Sequence, residues 1–170
     1  IKFLPGPSFS ERFLCKSNYI EIARGIRYAA DNGASIMNHS WGCGVEWINA
    51  GKCKESETLN RAIQYAADRD VLFVHAAGNN AGNTDKLRAS PFSQNFANGI
   101  SVAATDRADK LAIFSNYGRQ SVDLAAPGVA ILSANRSGGY VFYPGTSMAS
   151  PHVAGAAAFL KAYQPNLTAI

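Results

Sequence analysis

The sequence predicts an α/β fold of three layers, with helices on both faces of a mainly parallel sheet. Two observations carry this expectation. Short apolar runs alternate along the chain with stretches of helical periodicity, and strand-helix-strand order of this kind implies crossovers that bury a parallel sheet on both sides. The charged fraction is 16%, against about 25% in ordinary soluble domains, which suits a chain whose surface is extensively covered.

The elements follow in order. IKFL at the start reads as a buried strand with no leader before it, so the chain reads as processed or as part of a longer fold. YIEIARGIRYAADNG (19–33) is an amphipathic helix, with Ile20, Ala23, Ile26 and Ala30 on its apolar face and Asn32-Gly33 as its stop. ASIMNHSWG is the next strand, LNRAIQYAADRD (59–70) the second helix, and VLFVHAAGN (71–79) an apolar strand ending in a turn. GISVAAT (99–105), SVDLAAP (121–127) and VAILSA are further strands, and a last helix runs from Ser147 to Tyr163. No repeat, low-complexity tract or linker divides the chain, so residues 1–170 read as one domain.

Several functions are disfavoured at once. The net charge of +4 is spread from Lys2 to Lys161 without a basic block, which argues against nucleic-acid binding. The apolar stretches are too short to span a bilayer. What remains is a site at the carboxyl ends of the strands, where an open parallel sheet collects its ligands. Three glycine-bearing strand ends, HSWG, HAAGNN and YPGTSM, point to that region.

Ser147 opens the last helix, where free amides and the helix dipole favour a developing negative charge. The small residues from Ala149 to Ala157 would let this helix pack closely and bury its length, and Pro151 is read as tolerated in the first turn. Taken alone, the segment fits a nucleophile and an ordinary helix cap equally well. Asn79 likewise suits a turn beside Gly78, and Trp41 a core aromatic at a strand end.

The longer motifs resemble the subtilisin-like serine peptidases. GTSMASPHVAGAAAFL (145–160) is similar to that family's serine motif almost residue for residue, HAAGNN (75–80) to its oxyanion segment, NHSWG (38–42) to its substrate strand, and SVDLAAPGVAILSA (121–134) to the strand and loop before the serine. The resemblance implies Ser147 as nucleophile and Asn79 as the side-chain oxyanion donor beside the Ser147 amide. It implies a substrate-binding set of Ser40, Trp41, Gly42, Ala77, Gly78 and Thr146, with peptide added as a strand along residues 40–42. Secretion and polypeptide substrates are implied in the same way.

One departure shapes the expected mechanism. The family orders its triad Asp, His, Ser, and neither an H-G-T-H-like segment nor an early Asp-bearing strand end is present here. The fold is therefore expected to be incomplete at its N-terminal side. The catalytic Asp and His are expected on a segment outside this sequence, in cis or on a second chain. His152 lies five residues after Ser147, about 140° around the helix, and cannot readily serve it. His75 reads as a core residue, and His39 beside Ser40 is the best of a poor set. The α/β-hydrolase order requires both partners after the serine, yet the 23 residues after Ser147 contain no Asp or Glu.

Two functions stand against each other: a serine endopeptidase acylated at Ser147, and a catalytically inactive binding or scaffold module of the same ancestry. No metal ligand set is expected in this chain, and calcium is expected only in a complete domain: residues 90–99 and 121–123 resemble the neighbourhood of the family's weaker cation site, and Asp123 is the one carboxylate in the second of these segments. Ala76, Ala77, Gly78 and Asn80 supply no carboxylate to a pocket, which favours uncharged side chains before the cleaved bond. Cys43 and Cys53 are expected to close a disulfide over the loop between them, leaving Cys15 single.

Overall fold

Alanine and isoleucine at helical spacing build the first element, α1 (Asn18–Asp31), in a computed structural model that describes residues 18–42, 56–86, 96–135 and 137–170. The expected IKFL strand and the expected Cys43–Cys53 bridge fall on residues outside those described. Ala23, Ile26 and Ala30 form the buried face of α1. Ile20, expected on that face, is 57% exposed. Six residues of helix separate it from Ile26, which turns its side chain about 120° away. The helix stops as expected: Gly33 has φ +79°, and the amides of Gly33 and Ala34 bond back to the carbonyls of Ala30 and Ala29.

Strand β1 (Ile36–His39) follows, then α2 (Glu57–Ala67). Ser56 caps α2 by accepting the Leu59 amide, a bond of the kind that contributes about 1 kcal/mol. Leu59, Ala62, Ile63, Ala66 and Ala67 form its buried side. The chain then enters β2 (Leu72–Ala76), a single helical turn at Thr84–Lys86, β3 (Gly99–Thr105) and β4 (Leu124–Pro127). These four strands form one parallel sheet in the order β1-β2-β3-β4. A separate antiparallel hairpin of β5 (Ile131–Ala134) and β6 (Tyr140–Tyr143) precedes the last helix, α3 (Thr146–Tyr163).

Two cores sandwich the sheet. On one face α1 and α2 pack over Met37 and Phe73. On the other, Val74, Val102, Ala104 and Ala126 meet Ala149 of α3, which packs against all four strands. The three-layer expectation is met.

The last helix departs from expectation in two respects. It is not buried along its length: Thr146, Ala149 and Ser150 are buried, whereas Phe159 and Tyr163 are 73% and 76% exposed. Only the face turned to the sheet is covered, and no described element lies over the other. Nor does Pro151 fall in the first turn. The helix begins at Thr146, so the missing Pro151 amide would have bonded the Ser147 carbonyl in the helix interior. That carbonyl instead accepts the Ser40 hydroxyl at 2.8 Å.

Candidate active site

Three strand ends and the start of α3 converge as the sequence suggested. The turn into α3 depends on two glycines. Gly145 has φ +149° and ψ 156°, a conformation closed to other residues. Its amide donates to the Gly128 carbonyl at 2.7 Å. Gly128 lies so close to β3 that an added Cβ would stand 2.5 Å from that of Ala104. This seat delivers Ser147 to the second position of the helix, with its own amide unpaired among the described residues.

A polar circuit joins Ser147 to β1. The Ser147 hydroxyl donates to the Ser40 carbonyl at 3.2 Å, and the Ser40 hydroxyl returns a bond to the Ser147 carbonyl. Asn38 donates through Nδ2 to Ser40 Oγ, and its Oδ1 accepts from Ser150 Oγ at 2.7 Å. Ser147 thus has a backbone carbonyl, not a base, as its hydroxyl partner.

A second circuit holds Asn79. Its Oδ1 accepts both the amide and the hydroxyl of Thr146, each at 2.9 Å. The Thr146 Oγ1 in turn accepts the Gly78 amide at 3.1 Å. With its oxygen doubly bound, the Asn79 side chain has its Nδ2 donor beside the start of α3; an added Cβ at Gly145 would stand 3.6 Å from it. Asn79 is exposed, while Thr146 and Ala77 are buried.

Asn116 escaped the sequence reading. It is buried, donates through Nδ2 to the Ala77 carbonyl at 2.8 Å, and accepts the amides of Asn80 and Gly82 at Oδ1. Its amide also bonds the Gly78 carbonyl. One side chain therefore shapes the whole 77–82 turn, and its ring of contacts leaves no room for a Cβ at Gly78. Its setting, NYG, reads in sequence only as a turn. Asp85 was missed for the same reason. Its carboxylate accepts the amides of Arg119, Gln120 and Ser121 and the Ser121 hydroxyl. The Ser121 hydroxyl first, then those amides, hold its pKa below the usual carboxylate range.

None of the three histidines is placed to serve Ser147. His152 is exposed and pairs through Nδ1 with the Met148 carbonyl at 2.7 Å. His75 is buried beneath the sheet, and burial pushes it down to about 4, opposed by the Ala76 carbonyl and by Asp123. His39 belongs to the α1–α2 face, stacked on Phe73 at 4.0 Å, whereas its neighbour Ser40 turns to Ser147. Burial, reinforced by His75, pushes it down to about 3. Its Nδ1 accepts the Trp41 indole at 3.0 Å, while Nε2 is buried without a partner among the described residues.

No group of three metal-ligating side chains gathers among the described residues. One carboxylate oxygen of Asp123 accepts the Ser101 amide at 2.7 Å, and residues 90–95 of the segment that resembles the family's weaker cation site lie outside the described residues.

With this geometry in view, the chain can be compared with known proteins. The profile of the Subtilase family, peptidase S8, matches residues 14–169. The chain belongs to the subtilase family. The thermophilic serine proteinase of Bacillus sp. (strain AK1) is 44% identical over 146 residues, covering 86% of this chain and 33% of that protein. Thermitase of Thermoactinomyces vulgaris is 43% identical over 139 residues, covering 82% of this chain and 44% of thermitase. The crystal structure of a cold-adapted subtilisin-like serine proteinase superposes with a TM-score of 0.76 at 34% identity, over 91% of this chain and 52% of that one. The subtilase chain thus has the subtilisin-like α/β fold and spans a third to about half of these relatives. Among its described residues, no helix is long and apolar enough to cross a membrane.

Proposed function

We propose that this subtilase chain carries the serine, oxyanion and peptide-binding half of a secreted serine endopeptidase, and that a segment outside this sequence, in cis or as a second chain, supplies the Asp and His. The observation that supports it most is the Asn79–Thr146 pairing, which leaves an oriented amide donor beside the free Ser147 amide. Asn79 Nδ2 and the Ser147 amide nitrogen lie 3.6 and 3.7 Å from the position a Gly145 Cβ would take, and two donors beside one point suit an oxyanion better than a turn or a cap.

In the reaction, Ser147 Oγ attacks the carbonyl carbon of the scissile peptide bond and forms a C–O bond. Its proton passes to the histidine of the complementing segment. The carbonyl oxygen, now negative, lies between Asn79 Nδ2 and the Ser147 amide. The C–N bond then breaks, the amine leaves with that proton, and water releases the acyl group by the same route in reverse. Ser40, Trp41 and Gly42 bind the substrate backbone as an added strand, and Gly78 lines the pocket before the cleaved bond with buried Ala77 and Thr146 behind it, favouring uncharged side chains.

The bond from Ser147 Oγ to the Ser40 carbonyl fits a chain waiting for its base. So does the exposed apolar side of α3, with Phe159, Leu160 and Tyr163, which gives a complementing segment a surface to cover.

The test is fluorophosphonate labelling of Ser147 with and without a complementing segment that bears Asp and His, supplied in cis or as a second chain. Labelling only in its presence is the expected result. No labelling in either state would favour the inactive binding module, and stoichiometric labelling of the chain alone would show that an internal group acts as base.

A further inference from the structure

His39 raises a question that the oxyanion geometry does not answer. A leucine or phenylalanine at this position would pack on Phe73 without burying an N–H, yet the chain carries an imidazole whose Nε2 has no partner among the described residues. What the ring adds over an apolar residue is an acceptor. That acceptor is used: Trp41 Nε1–H donates to His39 Nδ1 at 3.0 Å, and the two rings meet edge to face at 88°. Because Nδ1 accepts, the proton resides on Nε2, the buried atom left unpaired.

The location gives this bond its meaning. His39 closes β1, and Trp41 lies two residues on, packed against the α1–α2 core. Between them, Ser40 turns the opposite way to Ser147. The strand end is therefore held from both faces, by α3 through Ser40 and by the His39–Trp41 bond across the sheet.

We infer that His39 is a positioning residue: its Nδ1 fixes the Trp41 indole and thereby the shape of the Ser40–Gly42 strand end on which an extended peptide is bound. It acts on peptide affinity and not on the chemical step. This rests on the peptidase reading, since residues 40–42 are the peptide strand only if that reading holds.

The test uses the complete peptidase and an acetylated, amidated peptide of five alanines and one phenylalanine. His39→Leu should raise KM about tenfold, the scale of one lost hydrogen bond, with kcat within about twofold. His39→Asn, whose amide oxygen falls near the Nδ1 position, should restore KM, whereas His39→Gln, which reaches toward Nε2, should not. Trp41→Phe should match His39→Leu and serves where that variant does not fold. The Trp41 indole N–H resonance should move in His39→Leu and return in His39→Asn. An unmoved resonance, or an unchanged KM in His39→Leu and Trp41→Phe alike, would overturn the inference while leaving the peptidase reading intact. Absence of peptide cleavage in every variant, the parent included, would overturn that reading and this inference with it.

Discussion

The hydroxyl of Ser40 lies 2.8 Å from the carbonyl oxygen of Ser147, the acceptor that Pro151 cannot satisfy. Proline opens the ladder of α3 one turn after the nucleophile, and a residue far away in sequence closes it. The helix start is thereby tied to β1, and the reacting hydroxyl to the strand beside it.

This relationship predicts coupling between two distant substitutions. Ser40→Ala should lower stability by about 1–3 kcal/mol, the cost of leaving a buried acceptor unpaired. Pro151→Ala returns a backbone donor to the same carbonyl. In the double variant the Ser40→Ala penalty should therefore shrink by about 0.5 kcal/mol or more. Urea midpoints of the four proteins measure this, and strict additivity would refute the shared acceptor.

Catalysis should separate Asn79 from its support. Asn79→Ala should lower kcat about 100- to 1,000-fold with KM little changed, a magnitude taken from the corresponding donor in subtilisin. Thr146→Val removes the hydroxyl that binds Asn79 Oδ1 but keeps the amide bond, so its loss in kcat should be smaller, about tenfold. Steady-state kinetics on a peptide substrate decide it. A rise in KM alone for Asn79→Ala would remove it from the oxyanion site.

Stability should fall as the solution is acidified from about pH 6.5 towards 4. His75 and His39 are held down at about 4 and about 3 by burial, while the unfolded chain titrates them near pH 6.5. Between these values the unfolded state binds more protons, so stability is full above about pH 6.5 and is lost on going down, by up to about 1.4 kcal/mol per pH unit for each histidine. Thermal melts from pH 8 to 4 should show the decline, and His75→Leu should flatten part of it. The lowered Asp85 adds its own loss only at lower pH.

Two glycines should respond to alanine with opposite signs. At Gly128 the new Cβ would meet Ala104 Cβ at 2.5 Å and the Gly145 carbonyl at 2.8 Å, so Gly128→Ala should destabilise by about 1–3 kcal/mol and slow acylation by shifting Gly145. At Gly25, inside α1, an added Cβ would meet no described residue outside the helix backbone within 4 Å, and Gly25→Ala should stabilise by about 0.5–1 kcal/mol. Denaturant melts of both variants provide the check.

By itself, the sequence determined the order of elements, the parallel sheet and the family. Each of these rests on neighbours in the chain: apolar runs such as VLFVH, the Asn32-Gly33 stop, and a serine motif whose sixteen residues stand together. Ser147, Asn79 and the Ser40–Gly42 segment could be proposed as site residues for that reason. Tertiary structure alone decided what depends on residues brought together from afar. Asn116 shapes a turn 36 residues before it, Asp85 organises amides 34 to 36 residues later, and Ser40 completes a helix 107 residues on. Ile20 and the outer side of α3 were misjudged for the same reason. Helical spacing gives the faces of a helix, but burial depends on what packs against each face, and His39 became a partner of Trp41 and not of Ser147 because the pleat of β1 turns adjacent side chains to opposite sides of the sheet.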